Sequence, residues 1–135
     1  MSTAQISVIS IPVRDQEKSK SFYVDKMGFE VVSDTPFQDG QRWIMLKPEG
    51  SSTSIALVTW FKSMKPGTLK GIVLSVEDIH RAIAEFRMRG VPMTSDTIQV
   101  APWGHWVSLE DPDGNGWIVQ QDLLMEKEPE GPLDN

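Results

Sequence analysis

Three side chains around one strand, His105, Glu110 and Asp111, are the best-placed candidates in this sequence for acid–base chemistry. Imidazole titrates near neutral pH, and a carboxylate can accept a proton from any group within hydrogen-bond reach. His105 opens the strand pattern, and Glu110 closes it. The only other histidine, His80, falls in the first turn of a helical pattern, where it faces solvent. Each has an ordinary alternative, because a lone histidine usually serves as a surface or hydrogen-bonding residue and a strand-end glutamate is usually solvated. Absence of cysteine excludes thiol redox chemistry, disulfides and thiolate metal sites. The run Asp111-Pro112-Asp113-Gly114-Asn115 resembles part of a calcium loop. It lacks the full EF-hand spacing and distal glutamate, so it reads as a turn. No P-loop, dinucleotide fingerprint, nucleophile elbow or Ser/His/Asp ordering is visible.

The remaining chemistry is that of binding. Five tryptophans in 135 residues are a large aromatic complement. Such side chains line ligand pockets, but they also fill cores and dimer interfaces. The net charge of −6 argues against a nucleic-acid partner, which needs a basic patch. An acidic surface steers cationic ligands, or simply keeps the protein in solution. No run of about 18 apolar residues exists to span a membrane. Met1 to Gln5 lack the basic and apolar regions of a signal peptide, so a cytoplasmic location is expected.

Regular elements must position these groups. Residues 6–13 are β-branched and partly alternating, which predicts a strand. Asp15 is placed to cap a helix over 16–27, and Gly28 supplies its left-handed end. Strands are expected over 29–33, 41–47 and 54–60. The order then repeats. A strand over 71–76 precedes a helix over 79–89, capped by Asp78 and closed by Gly90. The next strand begins at 91–93 or at 98–100, and strands over 105–110 and 116–121 follow. Val13 and Asp15 match Val76 and Asp78, Gly28 matches Gly90, Gly40 matches Gly104, and Lys47-Pro48 matches Asp111-Pro112. The offset is about 62 to 64 residues, a spacing that signals two copies of one unit. This divides a single domain into module one (6–60), a linker (61–70) with Pro66-Gly67 at its centre, module two (71–121) and an acidic tail (122–135). The tail is expected to be mobile apart from Leu123, Leu124 and Met125, which could pack back.

Module order and short motifs together resemble the vicinal-oxygen-chelate superfamily, which includes glyoxalase I, extradiol dioxygenases and the fosfomycin and bleomycin resistance proteins. The residues that carry the likeness are Val13-Arg14-Asp15, Ser21-Phe22-Tyr23 and Met27-Gly28-Phe29. In the second half they are Pro102-Trp103-Gly104 and Asp111-Pro112-Asp113-Gly114-Asn115-Gly116-Trp117. The resemblance implies an α+β fold, in which two tandem βαβββ modules form a curved mixed sheet around a cleft with helices on the convex face. Strand alternation then assigns Val8, Arg42, Ile44, Ala56, Val58 and Trp60 of module one to the cleft. Gly71, Val73, Trp106, Ser108 and Ile118 of module two join them, while Trp43, Val107 and Leu109 go to the core. Arg42 would hold an anionic or carbonyl group with its planar fork.

Metal-dependent members of that superfamily hold a divalent ion through side chains at four strand positions. Carried over by motif, these are Val8, Ala56, Gly71 and Ile118. None has a side-chain donor atom, whereas divalent ions require nitrogen, oxygen or sulfur. No metal and no cofactor is therefore expected. The resemblance then favours a metal-independent small-molecule-binding protein of the bleomycin-resistance type, sequestering a drug or aromatic metabolite stacked on Trp60, Trp106 and Phe37. The alternative is a lyase or dioxygenase-like enzyme with an atypical metal site, or one using Glu110 and His105 as an acid–base pair. Glu110 falls on the cleft side by alternation. A homodimer, sometimes with modules exchanged between chains, is also implied.

Overall fold

Two short turns of sequence, each an aspartate followed by an amphipathic run, start the only helices of the described chain. The computed structural model describes residues 2–95 and 97–122. Strand β1 (Val8–Pro12) leads into α1 (Gln16–Ser21), where the Asp15 carboxylate accepts from the Lys18 N–H at 3.0 Å. Strand β5 (Ile72–Ser75) leads into α2 (Ile79–Met88), where Asp78 accepts from the Arg81 N–H at 3.1 Å. Both caps satisfy amides that have no partner within the helix. In α2, Ile79, Ile83 and Phe86 recur at helical spacing and are buried, and Gly90 ends the helix at φ +83°.

The first helix departs from expectation. It is α-helical only to Ser21 and continues as a π-helical turn over Phe22–Lys26. The Met27 N–H reaches back five residues to the Phe22 carbonyl at 3.1 Å. The wider turn lets the adjacent rings of Phe22 and Tyr23 both enter the core, at 5% and 0% exposure.

The remaining strands are β2 (Glu30–Pro36), β3 (Arg42–Lys47), β4 (Ser54–Val58), β6 (Gln99–Ala101), β7 (Gly104–Glu110) and β8 (Gly116–Asp122). They form two four-stranded sheets of identical plan, β1-β4-β3-β2 and β5-β8-β7-β6. In each, the first and last strands of the module pair in parallel, and the other pairs are antiparallel. The architecture is thus two βαβββ modules of α+β class. The uncertain strand of module two is β6, while Met93 makes only an isolated bridge to Leu109. Asp122, assigned from sequence to the tail, is the last residue of β8; the expectations for the rest of the tail lie outside the described residues.

One apolar core serves both modules, including Ile11, Ile44, Leu46 and Leu57 from the first sheet and Val107, Leu109 and Val119 from the second. Each such buried aliphatic side chain is worth roughly 1.5–3 kcal/mol. The modules also meet through a polar network at the Asp111–Gly116 turn. Asp111 Oδ1 accepts from the Asp113 and Asn115 amides, both at 2.9 Å, which shapes the turn. Its Oδ2 accepts from the Tyr23 hydroxyl at 2.8 Å and from Asn115 Nδ2 at 2.9 Å. Asn115 Oδ1 accepts from the linker amides of Gly67 and Leu69. The linker runs so close here that a methyl group on Gly67, whose φ is +86°, would overlap the Asp113 carbonyl oxygen.

Candidate functional site

Along β1, β3, β4, β5, β7 and β8 alternate residues point toward the shared core, and the others point to the far face. Ladder partners share a face. In sheet one, Val8 lies opposite Ser54, Ser10 opposite Ala56 and Pro12 opposite Val58, so these six share the far face. In sheet two, Val73, Ile118 and Ser108 form one far-face row, and Ser75, Gln120 and Trp106 form the next.

β3 overturns part of the sequence assignment. Met45 pairs with Ala56 and Leu46 with Ile55. The far face of β3 therefore carries Trp43 and Met45, while Arg42, Ile44 and Leu46 turn to the opposite side. Ile44 is fully buried in the core. Arg42 is occupied. Its Nε and Nη2 clasp Asp34 at 3.1 and 2.7 Å, and its Nη1 bonds Glu17 of α1 at 2.8 Å. Lys20 adds a 2.7 Å bond to the same Asp34. The hydrogen bonds that Arg42 donates pull the Asp34 carboxyl down to about 2, and the same bonds to Asp34 hold the guanidinium above its ordinary range. A fork already closed on a carboxylate offers no bidentate grip to a ligand. Arg42 instead ties α1 to sheet one, helped by Gln16, which bonds both the Arg42 amide and carbonyl and the Leu57 carbonyl.

With Trp43 moved to the far face, module one presents an aromatic platform. Phe37 lies 4.8 Å from Trp60 and 6.1 Å from Trp43, centroid to centroid. Trp43 and Trp60 are 6.3 Å apart, and Phe61 is 6.1 Å from Trp60. The tryptophans are partly exposed, and Phe37 and Phe61 are 50% and 47% exposed. Beside them on the far face, β4 contributes the buried side chains Ser54, Ala56 and Val58. A half-exposed group of tilted rings offers π-surface to a planar molecule.

Module two brings Gly71, Ser108, Glu110 and Ile118 together around a hollow of about 320 Å³. Glu110 faces Lys70 at 3.5 Å and is half exposed, a solvated rim carboxylate. His105 shares its side of β7 with the core residues Val107 and Leu109, opposite to Glu110. An acid–base pair of the two is therefore not available: they stand on opposite faces at a separation along the strand of about 17 Å. Trp106 is partly buried in the far-face row with Gln120. Val73 is half exposed on β5 and contributes to a second cavity, of about 460 Å³, that opens between β5 and β1.

The four positions that the resemblance equates with metal ligands fall on Val8 in β1, Ala56 in β4, Gly71 just before β5 and Ile118 in β8. Their side chains offer no donor. Among the described residues, no group of three or more His, Asp or Glu is arranged to hold an ion. The donor set does not fit a chelated metal at this place.

The far-face placement of Trp43 and the buried Tyr23–Asp111 bond lie outside what the sequence pattern assigns. Burial and the Asp111 carboxylate push the Tyr23 phenol above its usual range, so it remains a protonated donor while accepting the Trp117 indole N–H at 2.9 Å. Trp43 was accessible from parity: six residues, 48–53, join β3 to β4, against five, 111–115, between β7 and β8.

Comparison with known proteins follows the same outline. A sequence model described as the Glyoxalase/Bleomycin resistance protein/Dioxygenase superfamily matches residues 5–119. The YetH protein of Bacillus subtilis (strain 168) is 31% identical over 120 residues, covering 87% of this chain and 98% of that protein. Among solved structures, TnmS3, an antibiotic binding protein from Streptomyces sp. CB03234, is 38% identical, with a TM-score of 0.82 over 90% of this chain and 98% of that one. A member of the same superfamily from Sphaerobacter thermophilus DSM 20745 is 31% identical, with a TM-score of 0.79 over 89% and 98%.

Proposed function

The chain belongs to the Glyoxalase/Bleomycin resistance protein/Dioxygenase superfamily, and from that premise we propose that it is a metal-independent small-molecule-binding protein that sequesters a planar aromatic ligand, such as an antibiotic or aromatic metabolite. The observation that carries the proposal is the platform of Phe37, Trp43, Trp60 and Phe61 on the far face of sheet one. Stacking on such rings needs no metal and tolerates variation in the ligand. The similarity to an antibiotic binding protein at 38% identity over nearly the whole of both chains supports the same reading. Binding sites of this kind are apolar with a few convergent polar groups. Ser10, Ser108 and Gln120 are among the far-face residues suited to that second role, and Val8, Ala56, Val58, Gly71, Val73, Trp106 and Ile118 would complete the site.

Two features extend the proposal. A homodimer would bring the far face of one chain against another, and two-fold pairing is the commonest oligomeric form. A cytoplasmic setting agrees with a chain that has no cysteine and, among its described residues, no helix long and apolar enough to cross a membrane. An enzyme reading has less support. The metal positions lack donors, Arg42 is closed on Asp34 and Glu17, and Glu110 and His105 stand on opposite faces.

Titration of tryptophan fluorescence with planar aromatic antibiotics tests the function. Saturable quenching is expected. A flat response to every ligand class would refute it.

A further inference from the structure

We infer that the Asp111–Gly116 turn is a latch that fixes the angle between the two sheets, a task that the apolar core between them does not perform. The turn belongs to module two, yet it gathers contacts from three parts of module one. Tyr23 donates to Asp111 Oδ2 at 2.8 Å, and the Pro12 carbonyl accepts from Asn115 Nδ2 at 2.9 Å. Arg14 bonds Asp113 at 3.0 Å, and Ser19 reaches the same carboxylate at 3.4 Å.

Three observations separate a latch from ordinary packing. First, the contacts are directional. The aliphatic side chains of the shared core, such as Ile11 and Leu57 of sheet one and Val107 and Leu109 of sheet two, attract without fixing an angle. A hydrogen bond weakens steeply once bent, so the polar contacts do fix one. Second, the site is buried and closed: Asn115 is fully buried, Asp111 is 5% exposed, and no buried side-chain polar atom among the described residues lacks a partner. Rotation of one module against the other would strand several of these groups at once. Third, the linker is held to the same turn by the Gly67 and Leu69 amides on Asn115 Oδ1. The connection between modules therefore cannot slide independently of it.

The test compares Tyr23→Phe with Phe29→Leu in the full chain. Tyr23→Phe keeps the ring in the core and removes only the hydroxyl. Phe29→Leu trims the apolar junction and leaves the network intact. Residual dipolar couplings report the relative orientation of the two sheets, and amide hydrogen exchange reports whether they open together. Tyr23→Phe is expected to change the inter-sheet orientation and to split amide exchange in β4 from that in β8 by about tenfold or more, matching the loss of a bond to a charged acceptor. Phe29→Leu is expected to raise exchange evenly with the orientation kept. The inference is overturned if Tyr23→Phe preserves the wild-type orientation, or if Phe29→Leu alone alters it.

Discussion

The indole rings of Trp43 and Trp60 lie 6.3 Å apart, inclined at 32°, on the face of sheet one that turns away from the core. They come from neighbouring strand ends, and Phe37 from the β2–β3 connection meets both. The arrangement leaves ring surface in contact with solvent where an all-core role would have hidden it.

Replacing Trp43 with alanine should therefore act on binding. Affinity for a planar aromatic ligand is expected to fall by about tenfold, roughly 1.4 kcal/mol, as ring-stacking contact is lost. Arg42→Ala should behave in the opposite way, holding affinity within about twofold while lowering stability by about 1 kcal/mol, the scale of a partly exposed ion-pair network. Paired titration and urea denaturation of the two variants checks both directions.

Asp34 gives the fold a signature at acid pH. Its carboxyl is held down to about 2 by Arg42 and Lys20, below the unfolded value. A depressed carboxylate contributes stability above its unfolded pKa, near about 4, and loses it as pH falls through the folded pKa. Stability should drop between about pH 4 and pH 2, with about 1 kcal/mol of that drop due to Asp34 after allowance for solvent screening. Denaturation midpoints across this range should show a shallower acid slope in Asp34→Asn.

Asn115→Ala should be a costly change. It removes the partner of the Pro12 carbonyl, of the Gly67 and Leu69 amides, and one donor to Asp111. Buried groups left unpaired cost about 1–3 kcal/mol each, so a loss of at least about 3 kcal/mol is expected in equilibrium unfolding.

Gly67→Ala should also destabilise, by more than about 1 kcal/mol, since its positive φ and the adjacent Asp113 carbonyl leave no room for a methyl group. A lowered melting temperature checks this.

The fold was legible because its signals are local. Asp15 and Asp78 cap, Gly28 and Gly90 terminate, and two runs of elements follow one order. The far face of module two was legible for the same reason: the five-residue turn 111–115 keeps Ser108 in phase with Ile118. Module one departs from the repeat at β3, because Lys47-Pro48 matches Asp111-Pro112 in sequence but not in the ladder. The extra residue in 48–53 places Lys47 where Glu110 stands, one position earlier. In a strand a slip of one residue exchanges the faces. Trp43 therefore faces away from the core, while Arg42 and Ile44 turn to the opposite side. The π-helical turn and the Tyr23–Asp111 bond were not legible, since both depend on where the second module packs.

On the proposed reading, a planar aromatic molecule binds this protein on tryptophan surface without help from a metal. The decisive measurement is fluorescence titration of the chelator-treated protein with a planar aromatic antibiotic, with elemental analysis of the same sample. Saturable quenching is expected in protein free of stoichiometric metal, and weaker quenching in Trp43→Ala. Binding that appears only after nickel, zinc, iron or manganese is restored, or no binding in either state, would contradict it.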